Sequence, residues 1–133
     1  MKRTAIKIRS SDDGKREIYV DHDNAVEIID YINKSPRHKN KFRDISNVIL
    51  KGIRYPKLYD KEEINKHSKG VTAMKFFKGQ ENDRLYCKEI TKEDKVFVVI
   101  MAELRLKKKS QKLTHKEINL IEKVASYEYE FEE

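Results

Sequence analysis

The sequence predicts a small single-domain α+β fold, in which an antiparallel β-sheet packs on two N-terminal helices and one C-terminal helix. Three observations predict it: two apolar stripes of helical spacing between residues 23 and 52, three β-type segments separated by short polar turns between residues 71 and 104, and a helix-start signal at Thr114. At 133 residues the chain has the usual size of one domain. We therefore interpret residues 1–133 as one domain.

The N-terminal segment predicts a β-hairpin. Ala5, Ile6 and Ile8 form a first β-type segment, a Ser-Ser-Asp-Asp-Gly turn follows, and Glu17 to Val20 form a second segment. A short linker rich in Asp and Gly between two such segments is typical of antiparallel strands. We expect this hairpin to cover about residues 1–20.

Two consecutive helices are predicted next. Asp23 or Asn24 is placed as the N-cap of the first helix, with Glu27 in position to complete a capping box. Ser35-Pro36 is a start signal for the second helix, and Gly52 ends it. The apolar stripes that would face the core are Ala25, Ile28, Ile29 and Ile32 in the first helix, and Phe42, Ile45, Val48 and Ile49 in the second.

The middle of the chain predicts a connection followed by a β-meander. Residues 53–70 are polar and aperiodic, with one helical turn expected near Glu62 to Asn65. Short linkers rich in turn residues separate the strand candidates that follow, which favours antiparallel pairing. These candidates are Val71 to Phe77, Arg84 to Ile90 and Val96 to Leu104.

The side-chain patterns of the last two strands predict their places in the sheet. The strand from Val96 to Leu104 is apolar on both faces, which predicts a central position. The strand before it alternates, and we expect Arg84, Tyr86 and Lys88 to share one solvent-exposed face. The order of hydrophobic and polar positions thus predicts which side of the meander carries the cations.

A C-terminal helix has the clearest local signature in the chain. Thr114 and Glu117 have the spacing of a capping box, which predicts a helix starting near His115. Residues 127–131 alternate at period two, and the pattern leaves open whether they are a frayed helix end or an edge strand. The predicted buried stripe of the helix is Ile118, Ile121, Val124 and Ala125.

Composition limits the class of protein and of partner. Charged residues make up 40% of the chain and the net charge is +7, which favours a polyanionic partner. No apolar stretch approaches the roughly 20 residues that span a bilayer, and the N-terminal segment lacks the apolar region of a signal peptide. A single cysteine, Cys87, can form no internal disulfide. We expect a cytoplasmic protein without a membrane segment, a metal or another cofactor.

A cluster of cations is predicted at one end of the meander. Lys75 lies on its first strand, Arg84 on its second and Arg105 at the end of its third. Because these strands are neighbours, their side chains can line one face, although each cation alone is also compatible with an ordinary solvated surface residue. The basic residues that follow the third strand are Lys107, Lys108, Lys109 and Lys112.

The order of parts resembles the RelE/HigB superfamily of ribonuclease toxins, with most similarity to its phage-derived, Gp49-like branch. Two helices precede Met74-Lys75-Phe76-Phe77, then come Asn82-Asp83-Arg84-Leu85-Tyr86-Cys87, an apolar strand, Lys107-Lys108-Lys109-Ser110-Gln111-Lys112 and a capped helix. The resemblance covers about residues 53–125 and rests on this order more than on any single motif. It implies a RelE-like fold with a curved antiparallel sheet.

The resemblance also implies an activity and partners. Such toxins are encoded with an antitoxin protein and cleave messenger RNA, often on the ribosome, without a metal. Arg84 would stabilise the phosphorane with help from Lys75, where many relatives have arginine. Tyr86 would stack on a base or transfer a proton, or else be a cross-strand packing residue. The RNA backbone would be held by Arg105, Lys107, Lys108, Lys109 and Lys112, one of these lysines being a candidate base.

Two other classes of function remain compatible with the sequence. A non-catalytic RNA- or DNA-binding module, including an inactivated relative of the toxins, needs the same clustered cations. A protein-interaction domain could carry its charges for solubility alone. Salt separates these classes, because binding to a polyanion weakens steeply as the salt concentration rises, whereas apolar docking does not.

Overall fold

The protein is described by a computed structural model that covers residues 2–77, 82–106 and 114–132. Within these ranges the strands are β1 (Arg3–Ser10), β2 (Arg16–Asp21), β3 (Tyr59–Lys61), β4 (Val71–Lys75), β5 (Arg84–Thr91), β6 (Phe97–Arg105) and β7 (Tyr129–Glu132). The helices are α1 (Ala25–Ile32), α2 (Pro36–Leu50) and α3 (His115–Ser126), and a 3₁₀ turn at His22–Asn24 leads into α1. None of these helices is long and apolar enough to cross a membrane.

All seven strands form one sheet in the order β3-β4-β5-β6-β2-β1-β7. β4, β5 and β6 are consecutive antiparallel neighbours, so the predicted meander is confirmed. β6 is the fourth strand of seven, which confirms the central position predicted from its apolar sequence. The predicted hairpin is also confirmed, because β1 and β2 pair antiparallel around the turn that contains Gly14.

The expectation of a wholly antiparallel sheet is wrong, because the sheet is mixed. β2 pairs parallel to β6, and β7 pairs parallel to β1. Short turns fix the direction of strands that follow each other along the chain, and those relations were predicted correctly. β2 and β6 are separated in the sequence by α1, α2 and three strands, so no local turn sets the direction of their pairing.

Helices cover both faces of the sheet, and β6 contributes to both cores. Val99 and Met101 belong to the core under α1 and α2, whereas Val98, Ile100 and Ala102 belong to the core under α3. The alternation of side chains along a strand explains this division. The fold is therefore an α+β arrangement with two helices on one face of the sheet and one on the other.

Local capping chemistry explains where α2 and the 3₁₀ turn before α1 begin. The Ser35 hydroxyl accepts a hydrogen bond from the His38 N–H at 3.2 Å, which confirms the predicted start of α2. The side chain of Asn24 does not cap α1; its amide donates instead to the carbonyl oxygen of Ala102 at 2.7 Å. Asp21 caps the preceding 3₁₀ turn through a 2.9 Å bond from the Asp23 N–H. The side chain that caps this region is therefore that of Asp21, and not that of Asp23 or Asn24 as predicted.

Three further expectations are settled by the described residues. No helical turn forms at Glu62 to Asn65; the connection instead contains β3, which pairs with β4 and becomes an edge of the sheet. The open alternative for residues 127–131 is resolved in favour of an edge strand, β7. The solvent-exposed face expected for Arg84, Tyr86 and Lys88 is wrong, because α3 packs over it and Tyr86 is 1% exposed.

A buried carboxylate ties the C-terminal strand to the first two. Asp21 is fully buried, and its Oδ2 accepts hydrogen bonds from Arg3 Nε at 2.6 Å and from the Tyr129 hydroxyl at 2.7 Å. The Arg3 guanidinium lies 4.1 Å from the centre of the Tyr127 ring. Strands β1, β2 and β7 therefore meet at one ionic contact at the edge of the sheet.

Replacing Asp21 by Ala should lower the free energy of unfolding by about 3 kcal/mol, because it leaves Arg3 and the buried Tyr129 hydroxyl without their acceptor. Urea denaturation measures the change. The matched control is Asp23→Ala, since Asp23 lies 3.7 Å from the same guanidinium but is largely exposed, and its loss should cost less than about 0.5 kcal/mol. Equal losses in the two variants would contradict this assignment.

Acid should weaken the fold through Glu17. Burial raises the pKa of this carboxyl, but Lys7 at 2.8 Å and Lys92 at 3.2 Å outweigh burial and hold the pKa below its usual value. A lowered pKa in the folded state stabilises the fold at pH values above the unfolded pKa of 4.5, and this stabilisation is lost as the pH falls through the folded pKa.

The free energy of unfolding, measured between pH 3 and pH 6, should therefore fall less steeply with acid in Glu17→Gln than in the wild-type chain. Glu93→Gln, in the exposed turn before β6, should keep the wild-type slope. An unchanged slope in Glu17→Gln would mean that the two ion pairs do not stabilise the fold.

Candidate nucleic-acid interface

Three cations lie in one row across the sheet. Lys75 on β4 is paired directly with Arg84 on β5, and Arg84 is paired directly with Arg105 on β6. Side chains directly opposite each other on neighbouring strands have Cβ atoms about 4.5–5.5 Å apart, and like charges in this arrangement repel. The row thus concentrates positive charge in one place, although the repulsion opposes folding. Such a concentration is expected of a site that binds an anion.

The cations of the row have few protein partners. Lys75 Nζ donates to the carbonyl oxygen of Pro56 at 3.0 Å, and Arg84 Nη1 lies 3.5 and 3.4 Å from the carbonyl oxygens of Asn82 and Asp83. Within the described ranges, no carboxylate forms an ion pair with any member of the row. The two guanidinium groups therefore lack a direct carboxylate partner within the described part of the protein.

Arg105 adds an unusual feature to the row. Its Nε is the one buried side-chain nitrogen or oxygen without a hydrogen-bond partner in the described part of the chain. Buried donors are almost always satisfied, because an unpaired one loses its bonds to water without replacement. This unpaired donor lies in the row beside Arg84.

Tyr86 and Glu117 lie next to the row, where the first turn of α3 meets the sheet. Both side chains are buried, and the Tyr86 hydroxyl donates to Glu117 Oε2 at 3.4 Å. The Thr114 hydroxyl lies 3.3 Å from Glu117 Oε1 and accepts a 3.2 Å bond from the Glu117 N–H, so the predicted capping box is partly formed. Burial is the main cause that raises the pKa of Tyr86 above its usual value, and the nearby carboxylate of Glu117 raises it further.

A basic groove adjoins the row on the side of Lys75. It has a volume of about 460 Å³ and lies between the first turns of α2 and the segment before β3. Its cations are Arg37, Lys41, Lys57 and Lys75, and its aromatic residues include Tyr55, Phe76 and Phe77. We call this cavity the basic groove.

An aromatic cluster supports one wall of the basic groove. His38 is buried, with 7% of its surface exposed, and its ring centre lies 4.9 Å from that of Tyr31 and 5.0 Å from that of Phe77. The Tyr31 hydroxyl donates to Asp83 Oδ2 at 2.7 Å, next to Arg84 in the sequence. The Arg37 guanidinium lies 3.8 Å from the centre of the Phe77 ring.

The predicted site residues divide into two groups. Lys75, Arg84, Tyr86 and Arg105 lie together on the face of the sheet that α3 partly covers. The predicted RNA-binding lysines lie outside the described residues; they are Lys107, Lys108, Lys109 and Lys112. Sequence reasoning missed the basic groove, and the available signal was the spacing of Arg37 and Lys41, four residues apart on one helix face.

Neither a metal site nor a reactive thiol is found among residues 2–77, 82–106 and 114–132. No three His, Cys, Asp or Glu side chains in these ranges are grouped as metal ligands would be. Cys87 is fully buried, and burial raises the pKa of its thiol, which keeps it protonated and unreactive. The chemistry available to this interface therefore comes from its cations, hydroxyls and aromatic rings.

Comparisons with protein-family models, with curated proteins and with solved structures gave no match to this chain.

Replacing Arg84 by Gln should stabilise the fold, because it removes the middle charge of the row and so relieves repulsion from both Lys75 and Arg105. Urea denaturation at low salt should show a gain of about 0.5 kcal/mol, and the gain should disappear in high salt as the charges are screened. Lys15→Gln removes one charge from an exposed turn and should change the stability little. A destabilised Arg84→Gln variant would show that Arg84 has a structural role instead.

Proposed function

We propose that this chain is a metal-free endoribonuclease of the RelE/HigB type, the toxin component of a toxin-antitoxin pair, which binds messenger RNA on the row of Lys75, Arg84 and Arg105. The observation that carries the proposal is this row itself: three directly opposed cations without an ion-pair partner among the described residues. A polyanion would relieve the repulsion within the row. RNA supplies such a series of phosphates.

The chemistry that these residues can support is transfer of a phosphoryl group within the RNA strand. The ribose 2′-oxygen would form a bond to the adjacent phosphorus while the bond from phosphorus to the 5′-oxygen breaks. A base takes the proton of the 2′-hydroxyl, an acid gives one to the 5′-oxygen, and the products are a cyclic phosphate and a 5′-hydroxyl. Arg84 and Arg105 would donate to the non-bridging oxygens as negative charge develops there.

Lys75 and Tyr86 receive supporting roles in this proposal. Lys75 supplies charge but not the two parallel hydrogen bonds that an arginine gives to a phosphate, so its contribution is mainly electrostatic. Tyr86 is buried with its hydroxyl on Glu117, and its raised pKa makes it a poor base at neutral pH. We therefore assign Tyr86 to positioning α3 against β5. The general base would come from the lysines at 107–112.

Fold and sequence order give the proposal partial support. Two helices, an antiparallel meander and a capped C-terminal helix follow each other in the order that the resemblance implies. The parallel pairs β2–β6 and β1–β7 depart from the antiparallel sheet expected of a RelE-like fold. In the toxin-antitoxin proposal, the partner protein would place carboxylates on the same row and so compete with RNA.

A non-catalytic RNA- or DNA-binding module is the second candidate, and a specific observation favours it. Tyr86 and Glu117, two titratable side chains beside the row, are both buried, and Lys75 is bonded to a backbone carbonyl. Glu103, two residues before Arg105, is already bonded to the Tyr127 hydroxyl. Binding needs only the cations, whereas cleavage needs an accessible base and acid as well. The row with its buried neighbours is therefore compatible with a site that holds RNA without cutting it.

Induced expression of the wild-type chain should arrest growth and create new internal 5′ ends in transcripts, and Arg84→Ala should abolish both. Loss of a donor to the developing phosphorane is expected to slow cleavage by about 100- to 1,000-fold. Arg43→Ala, which removes an exposed arginine on α2, is the matched control and should remain as toxic as the wild type.

Each outcome of that experiment separates the candidates. A fully toxic Arg84→Ala variant would overturn the role of the row in cleavage. Soluble wild-type protein that causes neither arrest nor new 5′ ends, yet binds RNA more weakly after Arg84→Ala, would favour the non-catalytic module. If the wild type and Arg84→Ala bind RNA equally, or if neither binds it, both candidates would be excluded.

A further inference from the structure

The basic groove shares a residue with the row of cations. Lys75 belongs to the row through its pairing with Arg84, and it also lines the groove, where its Nζ is bonded to the carbonyl oxygen of Pro56. A strand bound across the row can therefore pass Lys75, over the edge of the sheet, into the groove beside α2. The two surfaces meet at Lys75.

The groove is built from fixed parts. Backbone N–H groups of Leu58 and Tyr59 both donate to the carbonyl oxygen of Tyr55, at 3.0 and 3.1 Å, which closes a tight turn around Lys57. On the opposite side, Arg37 lies over the Phe77 ring, and this ring packs against the buried His38. Because both walls are held by contacts within the chain, little conformational entropy is lost when a ligand binds.

The groove combines cations with an accessible aromatic ring. Lys41 and Lys57 line it, and neither forms an ion pair within the described ranges. Tyr55 also lines the groove and is 44% exposed, so it is accessible to a ligand. A positively charged channel with exposed aromatic rings is the arrangement that single-stranded nucleic acids require, because each phosphate meets a cation and a base can stack on a ring.

Size and shape favour a single strand over a duplex. A volume of about 460 Å³ lies within the range of pockets that enclose small ligands, so the groove can admit individual nucleotide units. The bases of a duplex are stacked on each other inside the helix, and their faces are not available to Tyr55. A duplex could place phosphates only along the rim.

We infer that the basic groove is a subsite for single-stranded RNA, in which Lys41 and Lys57 hold backbone phosphates and Tyr55 stacks on a base of the segment next to the one bound on the row. This inference rests on the proposed binding of RNA by Lys75, Arg84 and Arg105. It adds that the protein selects unpaired RNA and that its footprint extends over the edge of the sheet formed by β3 and β4.

Binding of a fluorescent single-stranded oligonucleotide tests the inference. The probe carries 2′-O-methyl riboses, so it cannot be cleaved through its 2′-hydroxyls and reports binding alone. Tyr55→Ala should weaken binding by about 5- to 150-fold, the effect of losing one stacked base, whereas Tyr55→Phe should bind as the wild type does. The duplex of the same sequence should bind more weakly than the single strand and should be indifferent to both Tyr55 variants.

The lysines are tested by the salt dependence of the same binding. The double variant Lys41→Gln, Lys57→Gln should reduce the slope of log affinity against log salt by about 0.7 for each lost phosphate contact. The matched control is Lys15→Gln, Lys95→Gln, which removes the same charge at the opposite end of β6 from Arg105 and should keep the wild-type slope. Thermal denaturation of each variant confirms that it is folded.

Failure of the inference is distinguishable from failure of the proposed function. If Arg84→Ala weakens binding and the variants of Tyr55, Lys41 and Lys57 do not, the subsite is wrong and RNA binding on the row stands. If duplex and single strand bind equally, selection of unpaired RNA is wrong. If no variant of either surface changes binding, both proposals are overturned.

Discussion

Strand β2 lies parallel to β6 over five paired positions, from Arg16 with Phe97 to Val20 with Met101. This contact, extended by a 2.9 Å bond from the Phe97 N–H to the carbonyl oxygen of Lys15, joins the N-terminal hairpin to the meander. It makes β6 the centre of a seven-stranded sheet and so requires β6 to be apolar on both faces. Because both faces must then be covered, α1 and α2 pack on one side and α3 on the other. The position of every site residue depends on this arrangement.

The same constraint explains why the cations collect where they do. α3 buries Tyr86. The row of Lys75, Arg84 and Arg105 lies two residues further along the strands, at the end of the sheet where β6 ends. Three like charges held opposite one another oppose folding, and the fully apolar centre of the sheet supplies the stability that tolerates them. Natural proteins break a local rule of this kind mainly at sites of function, where the unfavourable local arrangement is required for binding.

Two buried polar contacts hold the strand that carries Arg84 in place. The Tyr86 hydroxyl meets Glu117 at the start of α3, and the Tyr31 hydroxyl meets Asp83 immediately before Arg84. Each contact joins a helix to β5 or to the residue that precedes it, so the strand that carries Arg84 is fixed at both of these points. A row held in this way presents its charges without having to order them on binding, which favours affinity for a polyanion. The basic groove extends the same principle, since its arginine lies on a ring that is itself packed against buried His38.

The sequence alone predicted the elements whose signals are local. The hairpin, the start of α2 at Ser35, the meander and the start of α3 at Thr114 depend on turn residues, caps and periodicity, which act over a few residues. It also identified Lys75, Arg84 and Arg105 as one cluster, because neighbouring antiparallel strands have a simple geometry. The sequence did not predict the parallel pairing of β2 with β6, the covering of Tyr86 by α3 or the burial of His38. These depend on contacts between residues far apart in the chain, and the basic groove likewise exists only because α2 and the turn at Tyr55 meet beside Lys75.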